Sequence, residues 1–187
     1  MRKIGMYDKI FKVIIFGDIN CGKTSLRKRF MDDVYDSHCR KTIGVDFQTK
    51  DFDYNGMEVK LMIWDFAGEE RFRYMFPQYL KGAMGGILMY DITNSSSFSC
   101  ISNWLSLIEE TNQKFPIILV GGKSDLENIR EVSREEAVKV GRAMGLHGFI
   151  ECSSKTGENV KESFQALTKK MLNYIPIKKR TIESIAI

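Results

Sequence analysis

The densest chemistry in this chain lies in eight consecutive residues, Gly17-Asp18-Ile19-Asn20-Cys21-Gly22-Lys23-Thr24. They satisfy the spacing G-x-x-x-x-G-K-[ST] and follow directly on an apolar run, Ile10 to Phe16. At a strand-to-helix turn this pattern cradles phosphate. Gly17 and Gly22 let successive backbone N–H groups curl around an anion, Lys23 reaches the β and γ oxygens, and the Thr24 hydroxyl can ligate Mg²⁺. Glycine-rich turns are common, so the preceding strand gives the match its weight.

A second set lies downstream, where Ile63-Trp64-Asp65 is followed by Phe66-Ala67-Gly68. An acid at a strand end facing a phosphate cradle can hold a metal through water, and the glycine lets its own N–H approach the terminal phosphate. Alone, this would read as a surface turn with an incidental aspartate. Beside the Lys23 loop the metal reading is the stronger.

These residues need a frame. Ile10 to Phe16, Gly86 to Tyr90 and Pro116 to Gly121 are short, nearly continuous apolar runs, as expected of strands buried on both faces of a parallel sheet. Phe98, Ile101, Leu105 and Ile108 recur at helical spacing, as do Val160, Phe164, Leu167 and Met171, and each set predicts one apolar stripe. Ser133 before Glu136 and Asn159 before Glu162 read as N-caps of two late helices ending near Gly145 and Asn173. Between Val45 and Ile63, Asn55-Gly56 separates two runs of strand character, with Val59, Leu61 and Ile63 alternating: the one hairpin. The prediction is an α/β fold, a mixed and mostly parallel sheet flanked by helices.

With 187 residues, 43% of them hydrophobic, the chain supports one core and not two ordinary domains. The net charge of +4 comes without any long basic block, which argues against nucleic acid as a partner. Cys21, Cys39, Cys100 and Cys152 show no metal spacing and read as reduced thiols of a cytoplasmic protein. No apolar run is long enough to cross a bilayer, and the first twelve residues lack a signal-peptide core.

Further motifs carry a family resemblance. Lys41-Thr42-Ile43-Gly44-Val45-Asp46-Phe47 is similar to the first switch of Rab proteins, and Trp64 to Phe72 resembles their second switch, W-D-T-A-G-Q-E-R-F, with two changes. Tyr90-Asp91-Ile92-Thr93, Gly122-Lys123-Ser124-Asp125 and Cys152-Ser153-Ser154-Lys155 continue the match, which spans about residues 8 to 175 in the family's order. The chain thus resembles a small GTPase of the Ras superfamily, most similar to the Rab branch. The resemblance implies a P-loop G domain with a six-stranded sheet over 9–175, an N-terminal extension (1–8) and a short tail (176–187). It implies GTP/GDP and Mg²⁺ as cofactors, with Thr24, Thr42 and, through water, Asp65 at the metal. Thr42 would also meet the γ-phosphate, Asp125 would pair with guanine N1 and N2 hydrogens, and Lys123 and Lys155 would lie along the base. Ser154 would offer its N–H to O6 and Tyr35 would stack. Ser25, Leu126 and Ser153 complete the implied nucleotide set, and Lys23, Thr42, Gly68 and Glu69 the catalytic one. A carboxylate facing two N–H donors suits guanine, because adenine offers no matching pair.

The departures are as informative. Gly122 stands where the family has an Asn that ties the base loop to the P-loop. Losing one or two hydrogen bonds of ~0.5–1.5 kcal/mol each would weaken binding about ten- to a hundredfold. Gly122→Asn is therefore expected to slow GDP release. Glu69 replaces the Gln that orients the attacking water; a carboxylate accepts but cannot donate, and its charge faces an anionic centre. Ile19 would crowd an incoming arginine finger, Cys39 replaces a Tyr covering the nucleotide, and Phe66 replaces Thr. The segment Lys178 to Ile187 has no cysteine, so prenylation is not expected, and Lys178-Lys179-Arg180 would give at most weak peripheral membrane contact.

Two function classes follow. One is a monomeric GTP-hydrolysing switch, with a low intrinsic rate, that meets effectors and regulators through its two switch segments and is cytoplasmic, with a membrane surface within reach through a partner. The other is a non-catalytic module holding GTP or GDP as a structural ligand, which Glu69 and Gly122 favour. An ATPase or nucleotide kinase is disfavoured by Asp125 and by the lack of an adenine site or lid.

Overall fold

The computed structural model describes residues 7–38 and 42–174. The expectations for Cys39, for Lys41 and for the tail beyond 174 lie outside them. Strand β1 (Lys9–Gly17) leads through the glycine-rich loop into helix α1 (Lys23–Asp32). Strands β2 (Val45–Tyr54) and β3 (Met57–Phe66) form the hairpin. Asn55 and Gly56 both take positive φ, 52° and 83°, as a tight two-residue hairpin turn requires. A short 3-10 turn then precedes α2 (Phe76–Leu80), and β4 (Gly85–Asp91), α3 (Ser95–Ser99), α4 (Ile101–Glu109) and β5 (Ile117–Gly122) follow. After a second 3-10 turn (Ser124–Ile129) come α5 (Arg134–Ala143), β6 (Gly148–Cys152) and α6 (Val160–Asn173).

The sheet order is β2-β3-β1-β4-β5-β6, and only the edge strand β2 runs antiparallel. Every residue of β4 and β5 is buried, because helices cover both faces. On one face Ile14, Phe16, Leu88 and Leu119 pack under α2 to α5 through Phe76, Leu80, Phe98, Trp104, Ile108 and Ala137. On the other, Val13, Ile15, Ile87 and Val120 meet Leu26 of α1 and Val160, Phe164, Leu167 and Met171 of α6. Each such fully buried side chain contributes about 1.5–3 kcal/mol of transfer free energy. The strands consequently end together at one rim, where their loops converge.

Four sequence expectations change. Ile10 is about half exposed, so burial of β1 begins at Phe11, and β5 starts at Ile117 rather than Pro116. The helix expected over Phe98 to Ile108 is broken at Cys100, and Trp104 is buried where Leu105 is only partly so. Asn94 starts this pair, its side chain accepting from the Ser96 and Ser97 amides. Ser133 does cap α5, accepting from the Glu136 amide at 3.2 Å. Asn159 does not cap α6: it sits at φ 55°, and its side-chain amide donates instead to the Glu151 carbonyl at 2.8 Å.

Candidate functional site

At the end of β1, Gly17 has φ 135°, and a Cβ there would lie 2.1 Å from the Met89 carbonyl of β4; only glycine fits. The loop turns through Asn20 (φ 60°) to Gly22 (φ 97°), which leads into the first turn of α1. No acid occupies that first turn, so the orphan N–H groups and the helix dipole face the cleft uncompensated. Lys23 is buried. Its Nζ donates to the Asp18 carbonyl at 2.6 Å and lies 3.7 Å from Cys21 Sγ, with no ion pair to a described carboxylate. A buried cation held only by a neutral carbonyl and a thiol is a site prepared for an anion. Burial pushes the Cys21 thiol up, so it stays protonated beside that lysine.

Thr24 and Thr42 bring their hydroxyls to 2.7 Å from each other. Behind them Asp65 is wholly buried, with Oδ1 lacking any hydrogen-bond partner. Burial pushes the Asp65 carboxyl up, opposed by Thr24, Lys23 and Arg27. Two hydroxyls and an orphaned carboxylate oxygen are hard ligands of the kind Mg²⁺ takes alongside phosphate, so the residues present fit that ion. Gly68 lies against the P-loop: a Cβ on it would sit 2.5 Å from the Asp18 carbonyl carbon and the Ile19 nitrogen. The Ala67 amide donates to the Gly44 carbonyl at 2.8 Å. Glu69 borders the same cleft, but its Oε2 is 2.6 Å from Arg71 Nε, so its charge is partly balanced by a neighbour absent from the sequence argument.

A cleft of about 260 Å³ is lined by Ile19, Asn20, Gly22, Lys23, Thr24, Ser25, Tyr35, Thr42, Gly68, Glu69 and Lys123. An adjoining pocket of about 80 Å³ adds Cys21, Asp125, Leu126, Ser154 and Lys155 and shares Tyr35 with it. Ser153 does not line the pocket. It is buried, and its Oγ donates to Asp125 Oδ1 at 2.6 Å, leaving Oδ2 turned elsewhere, 3.9 Å from Lys155 Nζ. Lys123 (φ 65°) is anchored 2.5 Å from Asp91 Oδ2.

Sequence reasoning missed Asp36, Ser37 and Ala67 in the cleft and Met89 in the smaller pocket. Asp36-Ser37 had no motif to mark it; Met89 was visible only as a core residue of β4. Gly122 is also different from expectation. A Cβ on it would lie 2.8 Å from the Cys21 carbonyl and 3.1 Å from Met89 Cε, so the two loops touch directly where the family's side-chain tie would run.

A glycine cradle between a central parallel strand and a helix, a lysine folded over it and a carboxylate pocket alongside define a P-loop nucleotide-binding domain. The chain belongs to the Ras family, whose model matches residues 12–173. It is 41% identical over 167 residues to Ras-related protein Rab-13 of Canis lupus familiaris, covering 89% of this chain and 82% of that one. It is 38% identical over 182 residues to Ras-related protein Rab-10 of Diplobatis ommata (97% and 90%) and 41% over 169 to RABA5a of Arabidopsis thaliana (90% and 76%). It is a Rab-like small GTPase, a guanine-nucleotide-dependent switch.

Proposed function

We propose that this protein binds Mg·GTP and GDP in the paired clefts and hydrolyses GTP slowly. Lys23 at the start of α1, buried and paired with no carboxylate among the described residues, carries this reading. Lys23 and the P-loop amides neutralise the β and γ oxygens, Asp125 selects guanine through Oδ2, and Tyr35 covers the base. Gly68 presents its N–H to the terminal phosphoryl group, which its contact with Asp18 and Ile19 brings to the P-loop. Mg²⁺, when bound, would offset negative charge that develops on the phosphate in the reaction. Thr24 and Thr42 would hold it directly, and Asp65 through water. Glu69 accepts a hydrogen bond from the attacking water but supplies no donor, so turnover is slow. Phe47, Trp64 and Tyr79, with ring centroids 4.7 and 5.6 Å apart along the row, border the switches and suit a protein partner.

The Glu69–Arg71 ion pair favours the second reading, a module that holds nucleotide without turnover, because it draws the carboxylate away from water. Single-turnover phosphate release from Mg·GTP, set against Lys23→Ala, decides between them: no release above blank from fully loaded protein leaves the binding module. No helix among the described residues is long and apolar enough to cross a membrane. We place the protein in the cytoplasm as a monomer that reaches membranes through a partner.

A further inference from the structure

Arg27 lies one turn beyond Thr24 on α1 and is 2% exposed. Each of its three guanidinium nitrogens donates one hydrogen bond. Nε donates to Asp65 Oδ2 at 3.2 Å, Nη2 to Asp46 Oδ2 at 2.7 Å, and Nη1 to Gln48 Oε1. Asp46 and Asp65 are directly opposed in the β2–β3 ladder, so one arginine spans a pair of like charges that would otherwise repel. One of the two belongs to the metal-side carboxylate.

We infer that Arg27 is a positioning residue that holds Asp65 in a closed ion pair and thereby makes nucleotide retention only weakly dependent on Mg²⁺. The inference rests on the reading of Thr24, Thr42 and Asp65 as the Mg²⁺ side of the nucleotide site. A divalent cation gains most from a carboxylate whose charge is uncompensated, and a fixed cation on the same group both removes that charge and repels the ion. The other carboxylates bordering the cleft are also paired: Asp36 lies 3.6 Å from Lys28, and Glu69 2.6 Å from Arg71. No cluster of three metal-binding acidic, histidine or cysteine side chains exists among the described residues. Protein charge therefore contributes less to holding a cation here, because Arg27, shared with Asp46, and Lys23 together offset much of the charge on the buried acid. A purely structural role, bridging α1 to the hairpin, would alter stability but not the dependence on Mg²⁺ concentration.

The test is the release rate of a fluorescent GDP from the full chain, measured across free Mg²⁺ from excess chelator to millimolar. Wild type should speed up less than about tenfold on chelation. Arg27→Gln and Arg27→Leu, which remove the charge, should speed up at least about tenfold more than wild type, whereas Arg27→Lys should stay near it. Because the neutral variants leave Asp65 buried without its cation, unfolding midpoints with nucleotide are read alongside, and Mg²⁺ should raise theirs more than wild type's. A wild type that loses GDP steeply on chelation, or neutral variants with an unchanged Mg²⁺ dependence, overturns the inference while leaving nucleotide binding intact. A wild type that binds no guanine nucleotide at all removes the Mg·nucleotide reading and the inference with it.

Discussion

The Ala67 amide donates to the Gly44 carbonyl, extending the β2–β3 ladder one step past its last register pair, Val45 with Phe66, to the edge of the nucleotide cleft. Thr42 lies two residues before one partner and Gly68 one residue after the other. The two segments that border the cleft, around Thr42 and Gly68, are therefore joined by backbone.

Ordering should be shared across that bond. Amide hydrogen exchange, compared between GDP and a non-hydrolysable GTP analogue, should show residues 43–45 and 66–69 gaining protection together. Protection confined to one segment would separate them.

Gly122 leaves no room for the side chain that the sequence comparison would restore. Because a Cβ there meets the Cys21 carbonyl at 2.8 Å, Gly122→Asn must displace the P-loop. Overpacking of this kind costs about 1–3 kcal/mol, so GDP release should accelerate about tenfold or more instead of slowing. Stopped-flow release of labelled GDP reads the sign, and slower release would mean that the loop yields freely.

Asp125→Asn should move base preference toward xanthine nucleotides. Ser153 Oγ donates to Oδ1, which fixes the amide oxygen on that side and leaves the new NH₂ at the Oδ2 position, a donor where guanine needs an acceptor. Calorimetry with GDP and XDP tests this; Ser153→Ala in the same background should blur the preference by freeing the amide to flip.

Hydrolysis should respond to breaking the Glu69–Arg71 pair from the Glu69 side. Glu69→Gln supplies a donor and releases Arg71, and should raise the single-turnover rate several-fold, by the ~1 kcal/mol of one hydrogen bond. Ile19→Ser should leave the intrinsic rate nearly unchanged. Lys23→Ala should cost more than either, through loss of charge stabilisation. An Ile19 effect as large as that of Glu69 would contradict the division between the sites.

His147 gives an acid-side dependence far from the cleft. Its Nδ1 accepts from the Ile117 amide at 3.2 Å, and burial lowers its pKa below the usual value. The folded state thus prefers neutral imidazole. Its contribution is present above the unfolded value of about 6.5 and is lost as pH falls through the lower folded pKa. His147→Gln should flatten the decline of the unfolding midpoint between about pH 7 and pH 5. An identical decline would place the sensitivity in the carboxylates.

The strands and the hairpin turn were readable because burial on both faces and positive φ leave residue signatures: unbroken apolar runs in β4 and β5, and Asn55-Gly56. The turn of the Gly17 to Thr24 loop was readable because Gly17 and Gly22 take positive φ that few other residues adopt. The break at Cys100 was not, since a helix pair offset by one residue keeps nearly the same apolar spacing and lets Trp104 take the place of Leu105 in the core. Nor was the Arg27 network, because a charged residue in an amphipathic helix looks like solvated surface until the hairpin brings Asp46 and Asp65 across to it. Asn159 misled for a related reason: its side chain can cap a helix or brace a neighbouring strand, and only the position of β6 decides which.

The sheet order has a consequence for how the chain is made. Strand β1 emerges first yet sits in the middle, its neighbours β3 and β4 lying far downstream, so Lys9 has no partner until Val59 has been synthesised. At about 5–20 residues per second this leaves a strongly apolar strand unsatisfied on the ribosome for several seconds, with the glycine loop behind it unable to take shape. The same centrality makes folding depend on distant pairings, which are slow to form. Nascent chains stalled before the hairpin is complete should be the species that chaperones engage, and the capacity to hold nucleotide should arise late in synthesis, only after the β6 loop has followed its strand into place.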